Sequence, residues 1–399
     1  MMEPLNMNSS KKMKIVMVVP SPFFVDRKSN VRVLELAVAL EKLGHAITIV
    51  TYHLGSDIHT EIETKIAVER IPNVFRWYRK VEECISWEKL ILDKLLIFKT
   101  LQVVWRENPD VVHAHFCEGV VVAATVRKLL FWKKFKIVAD LYEDPSKPTV
   151  RLGALKRQVV KFGDVAVAGS QENAKQISII RQQEVTVVPD GVNIERHLGL
   201  LSHDQQQHQL ELPAGQCVVA YVGSLAEDKG IQYFLEAMPL VLAEMQDVYF
   251  VIAGYPMEQV KNFVEEHKLE QHVRLVFSLS YFDLPALLNA SDIGVDPRTS
   301  DNYQPSRKGL QYMAAGSPVV CFDKENNRRY LGEGAYYSQE ISAMGLAKGI
   351  LHFAQNPQEI ESRGELNKRK VVEFSWISSA EQLERIYNRL LSHNGNGKS

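Results

Sequence analysis

Short runs that are apolar on both faces alternate along this chain with longer stretches whose apolar residues recur every three or four positions. The first is KIVMVV at 14–19, followed by helical spacing over Val31–Leu43 and a second run, AITIV, at 46–50. Period two in the short runs and period 3.6 between them predict a strand–helix–strand unit. The alternation returns at VVHAH (111–115), KIVAD (136–140), DVAVAG (164–169) and VTVVPDG (185–191). Strands this apolar belong in a parallel sheet with helices on both faces. Near residue 200 the pattern gives way to LSHDQQQHQLELPAG, which reads as a linker. A second series then begins, with strands expected at 218–223, 248–254, 273–277, 292–296 and 318–322.

The predicted fold class is α/β, with two doubly wound Rossmann-like domains facing across a cleft. The expected bounds are 13–200 for the first domain and 212–372 for the second, with a helix over 373–391 that either crosses back to the first domain or caps the second. Ligands of such sheets sit beyond the carboxyl ends of the strands. A length of 399 residues suits two domains.

With 47 basic and 48 acidic residues, the net charge of −1 argues against a surface built for nucleic acid. Four cysteines without a CxxC pair suggest neither a zinc cage nor a disulfide framework. No signal-peptide core or membrane-length apolar run is present, so a cytoplasmic protein is expected.

Three segments carry candidate chemistry. VGSLAEDKG (222–230) places a glycine at each end of a loop and Lys229 beside a helix start, where an ammonium and free backbone N–H groups would both favour a phosphate; a plain surface lysine fits equally well. It is not a Walker loop, and no GxGxxG occurs. His113 and His115 face the same way on a strand, but with no third metal ligand in view they are read as lining or packing residues. RKLLFWKKFK (127–136) and FRWYRK (75–80) mix basic and aromatic residues, a composition that suits contact with an anionic lipid surface or a solvated helix end.

The segment DIGVDPRTSDNYQPSRKGLQYMAAGSPVV (292–320) resembles the family 4 glycosyltransferases of the GT-B fold. VVPDGVN (187–193), the 223–230 loop, FVIAG (250–254) and FSWISSAEQLERIYNRL (374–390) extend the resemblance in order over nearly the whole chain. It implies a retaining, metal-independent transfer of sugar from a nucleotide-diphosphate sugar, a substrate rather than a cofactor, to a glycan or lipid-linked acceptor. The donor would be held by the second domain and the acceptor mainly by the first.

Carried over residue by residue, the resemblance assigns Lys229 and Lys308 to the leaving diphosphate and Tyr142 to the reacting sugar. Gly223, Ser224, Gly254, Tyr303, Ser306 and Gln311 fall on the donor side, and Asp140, Glu143 and His115 on the acceptor side. No metal ligands are expected.

Several positions depart from the family pattern. Two glutamates with seven residues between them are replaced by Tyr303 and Gln311, an arginine after the first loop glycine by Ser224, and a histidine by Tyr142. Glutamine still hydrogen-bonds ribose, but without the charge that strengthens such bonds about twofold. The alternative is therefore a weakened homologue that keeps the fold and serves as a nucleotide-binding partner or scaffold. An epimerase of the same fold is a further rival.

Overall fold

The structure is a computed structural model and describes residues 12–24, 28–74, 87–141, 157–277, 279–299 and 306–392. The chain divides into two compact units, Met1–Pro189 with Ser379–Ser399, and Asp190–Ser378.

The first unit holds a seven-stranded parallel sheet. Its strands are β1 (Lys14–Val19), β2 (Ala46–Thr51), β3 (Ala67–Arg70), β4 (Val111–His115), β5 (Lys136–Asp140), β6 (Val165–Ala168) and β7 (Thr186–Val187), in the order β3-β2-β1-β4-β5-β6-β7. Among the described residues its helices include α1 (Lys28–Lys42), α2 (Trp87–Glu107), α3 (Phe116–Leu129) and α4 (Gln171–Arg181).

Every residue of β4 is buried, as its unbroken apolar run demands of a strand covered on both faces. In this unit, among the described residues, only β3 escaped the pattern of apolar runs. It is a four-residue edge strand whose AVER sequence is half-exposed throughout, so it lacks the two-sided apolar signature.

The second unit begins with α5 (His203–Gln209) and carries a six-stranded parallel sheet. Strands β8 (Cys217–Ser224), β9 (Val248–Tyr255), β10 (Val273–Val276), β11 (Ile293–Asp296), β12 (Val319–Phe322) and β13 (Ala335–Ser338) lie in the order β10-β9-β8-β11-β12-β13. Between and after them come α6 (Ile231–Glu244), α7 (Glu258–Glu266), α8 (Leu284–Asn289), α9 (Arg307–Ala315), α10 (Glu325–Leu331), α11 (Ala343–Ala354), α12 (Pro357–Val371) and α13 (Trp376–Ser392), the last running on into the first unit from Ser379. Both sheets reverse strand order once, at β1/β4 and at β8/β11. These are the points where open parallel sheets present ligand sites.

The polar stretch after residue 200 is not a linker. Ser202 and Gln205 cap α5 reciprocally, and Gln207 donates its amide to the Ala290 carbonyl at 3.2 Å while the Nδ1 of His203 meets that of Asn289 at 2.8 Å. Glutamine is a good helix former, and here its amides also find partners on a neighbouring element.

The VVPDGVN motif has a local role too. Val192 N–H donates to the Phe374 carbonyl at 2.9 Å, and the Gly191 position leaves no room for a side chain beside the backbone of Ser375–Trp376. Asp190 accepts from Arg307 Nε at 2.6 Å, which ties the start of this unit to the first turn of α9.

In α13, Ala380, Leu383, Ile386 and Tyr387 are buried. Tyr387 meets the Nδ1 of His113 through its hydroxyl at 2.5 Å, and Glu384 pairs with His45 at 3.0 Å, so polar groups as well as apolar ones hold the helix.

Candidate functional site

In the second unit the carboxyl ends of β8 and β11 bring four charged or conformationally special segments together. Strand β8 ends in Gly223 at φ +125°, a conformation that favours glycine. Beside it, a Cβ at Gly254 would fall on the Gly223 carbonyl oxygen, so the β8 and β9 ends approach this closely only because position 254 carries glycine. Gly254→Ala is therefore expected to cost about 1–3 kcal/mol of stability, as overpacked sites do, measurable as a lowered denaturation midpoint.

The loop then makes a short 3₁₀ turn over Glu227–Lys229, and Gly230 at φ +75° serves as the N-cap of α6. A Cβ at Gly230 would collide with the Pro297 carbonyl, which places the end of this loop directly against Pro297–Arg298 after β11.

At the end of β11, Asp296 is 1% exposed. Lys308 Nζ and Arg298 Nε both lie 3.4 Å from its Oδ1. Burial by itself would raise the Asp296 carboxyl; the Arg298 and Lys308 cations outweigh it and hold the group at about 2. The Lys308 ammonium also stands 4.0 Å over the Tyr221 ring. Neither Lys308 Nζ nor Arg298 Nε has a hydrogen-bond acceptor among the described residues. Two cations and one carboxylate leave a positive surplus, with buried donors unsatisfied, and such donors are costly unless an acceptor meets them.

Tyr312 on α9 fixes the two strands that carry this cluster. Its hydroxyl lies 3.1 Å from the Ala220 carbonyl and 3.1 Å from Val222 N–H, which donates to it, and its ring fills the space over Gly294.

The other donor-side residues are placed as follows. Lys229 is half-exposed and pairs with its neighbour Asp228. Ser306 caps α9, its hydroxyl accepting from Gly309 N–H at 3.3 Å. The side-chain oxygen of Gln311 is engaged by His197 Nε2 at 2.9 Å, a partner nothing in the sequence announced. Ser224 is exposed at the end of β8. Tyr303, Tyr142 and Glu143 lie outside the described residues.

In the first unit, Asp140 ends β5 and accepts from Arg32 Nε at 3.1 Å, while Arg32 also donates to the Val188 carbonyl at 3.0 Å. His113 Nε2 and His115 Nδ1 each lie 3.5 Å from the same Asp140 oxygen. The third group that the sequence left out of view beside the two histidines is therefore Asp140.

The donor set nevertheless suits an ion-paired cluster better than a metal ion. The single carboxylate is already occupied by a buried guanidinium, which would repel a dication at that point. Burial, followed by the neighbouring His113, pushes His115 down to about 4. Burial opposes ionisation of Asp140, yet Arg32 and the two histidines hold its carboxyl well below the usual range. His115 and Asp140 are both buried. Arg298 and Arg32 were missed in the sequence. The visible signals were a cation two positions beyond a strand end and a lone arginine within the apolar run VRVLEL.

Two Rossmann-like units with these parallel sheets are the architecture of the GT-B fold. Comparison with known proteins gives the family. Residues 29–196 match the model for "Glycosyltransferase Family 4" and residues 202–371 that for "Glycosyl transferases group 1". The chain belongs to the family 4-type glycosyltransferases.

Among its relatives, glycogen synthase of Mycobacterium tuberculosis is 24% identical, with 88% of each chain covered. The phosphatidyl-myo-inositol mannosyltransferase of the same species is 21% identical over 94% of this chain and 96% of its own. Among solved structures, Anabaena HepE in complex with UDP and glucose superposes with a TM-score of 0.72 at 16% identity, covering 94% of this chain and 99% of that one. None of the helices formed by the described residues is long and apolar enough to cross a membrane.

Proposed function

We propose that the second unit binds a nucleotide-diphosphate sugar at the β8/β11 switch point and that the enzyme transfers the sugar, with retention and without a metal, to a glycan or lipid-linked acceptor taken by the first unit, in peripheral contact with a membrane. The observation that carries the donor site is the pair of half-buried cations Lys308 and Arg298 on one carboxylate, whose Nζ and Nε have no further acceptor among the described residues, beside the glycine loop of Lys229. Cleavage of the sugar–phosphate bond builds negative charge on the departing diphosphate. Cations and N–H groups fixed in advance stabilise that charge without reorganising. Asp296 holds the two cations in place and keeps them from repelling one another when no anion is bound. Arg298 supplies a guanidinium close to a loop whose own sequence, at Ser224, offers none.

Calorimetric titration with uridine, guanosine and adenosine diphosphates tests the donor site, and a donor screen with mass detection of released diphosphate tests turnover. Product anomeric configuration by NMR, and activity in EDTA, test retention and metal independence. Lys229→Ala and Arg298→Ala are each expected to weaken diphosphate binding by about 1.5–3 kcal/mol, roughly 10- to 150-fold, if each makes a charge-assisted contact. Unchanged affinity in both would remove the assignment. Tight binding with no hydrolysis or transfer from any donor would instead favour a weakened, binding-only homologue.

A further inference from the structure

Helix α2 carries an apolar stripe that no described element covers. Ile91, Phe98 and Trp105 recur every seven residues, close to one face of a helix, and are 36%, 69% and 56% exposed. Lys94 stands exposed on the same face.

At its carboxyl end the stripe meets a second group of aromatics. Trp105 packs edge-on against Trp132, with ring centroids 6.0 Å apart, and Phe131 packs edge-on against Trp132 at 4.9 Å. Phe131 is 81% exposed and Trp132 52%. Lys133 locks the two elements together: its ammonium stands 5.3 Å over the Trp105 ring and donates to the Trp105 carbonyl at 3.3 Å and to Asn108 Oδ1 at 3.1 Å. Lys128 and Lys134 are exposed beside these rings. From residue 119 to 139 the chain holds five basic residues and no acidic one.

A contiguous exposed patch of this kind marks an interaction site, and its charge decides the partner. We infer that the face formed by Ile91, Phe98, Trp105, Phe131 and Trp132, rimmed by Lys94, Lys128 and Lys134, docks on an anionic lipid surface. Indole and phenyl rings settle at the headgroup level of a bilayer, and lysines around them add electrostatic attraction to anionic lipid. The inference names the surface for the membrane contact proposed above. It rests on these side chains and not on the donor site, so docking and transfer fail separately.

The test is sedimentation of the full chain with vesicles of phosphatidylglycerol and phosphatidylcholine, and with phosphatidylcholine alone. Binding is expected to the anionic vesicles at low salt, falling steeply as salt rises. Lys128→Glu and Lys134→Glu should each reduce partitioning by about fivefold or more. The double variant Phe131→Ser/Trp132→Ser should lower it by about tenfold, a factor that even half of a buried aromatic side chain's transfer free energy supplies. These residues are exposed, so melting temperature and diphosphate binding should match the parent.

Absence of binding, equal binding to neutral vesicles, or parent-like binding by the variants would overturn the inference. So would a concentration-dependent dimer, seen by light scattering and lost in the double variant, since it would assign the face to a second copy of the chain.

Discussion

Replacement of Lys308 by alanine is expected to slow sugar transfer by a factor of about 10²–10³, the usual effect of removing one preorganised donor from a developing anion. The change removes the cation that lies 3.4 Å from Asp296 and stacks on Tyr221, so the cluster loses its surplus positive charge. Asp296 then depends on Arg298 alone, and burial pulls its carboxyl upward from about 2. Steady-state kinetics separate the roles. If Lys308 acts on the leaving group, kcat falls more than affinity for the diphosphate product, and Lys308→Arg recovers part of the loss. A variant that melts like the parent and transfers sugar at the parental rate would exclude Lys308 from the chemistry.

The largest stability effect is expected at the other buried ion cluster. Asp140→Asn removes the carboxylate that lies 3.1 Å from the Arg32 guanidinium, whose side chain is 2% exposed, and removing one partner of a buried pair typically costs about 3–5 kcal/mol. Urea denaturation measures it. Replacing both partners by apolar residues, Arg32→Met with Asp140→Leu, should recover much of the loss, because taking the charge of the guanidinium out of the core as well removes its desolvation penalty. A single variant as stable as the parent would show that the pair contributes nothing.

The same cluster sets an acid limit. His115 is held at about 4, below its unfolded value near 6.5, so the unfolded chain binds the extra proton first. Stability is therefore full above pH 6.5 and declines as the pH falls from about 6.5 to about 4, by an amount of order 3 kcal/mol from this group. Asp140, shifted in the same direction, has its stabilising effect above the normal carboxylate range and loses it at still lower pH. His115→Gln should flatten the decline between pH 6.5 and 4.

Most of the fold was legible because buried parallel strands write themselves as uninterrupted apolar runs. Strands β1, β4, β5, β8, β9 and β11 are all of this kind. Two of the four edge strands, β3 and β13, are short and partly exposed, and their four residues each carry no such mark. Helix α5 was hidden for the opposite reason: its glutamines look like a solvated spacer until Ser202 and Gln205 are seen to close on one another.

In the site, Lys229 and Lys308 stood out as cations at loop and helix starts. The carboxylate that gathers Lys308 and Arg298 did not, because which strand end lies beside which is decided by the order of strands in the sheet and not by distance along the chain. Gln311 illustrates the same limit. The resemblance assigned it to the donor side, and its oxygen proves to be bonded to His197, 114 residues away.

The first unit is assembled from both ends of the polypeptide, since Ser379–Ser399 complete it through the buried side chains of α13, whereas Asp190–Ser378 form the second unit from one continuous stretch. During synthesis the later-encoded body can consequently reach its final state first. The amino-terminal one cannot be completed until α13 has been made and Tyr387 can reach His113, so its sheet stays open to chaperones and proteases while the whole of the second unit is synthesised.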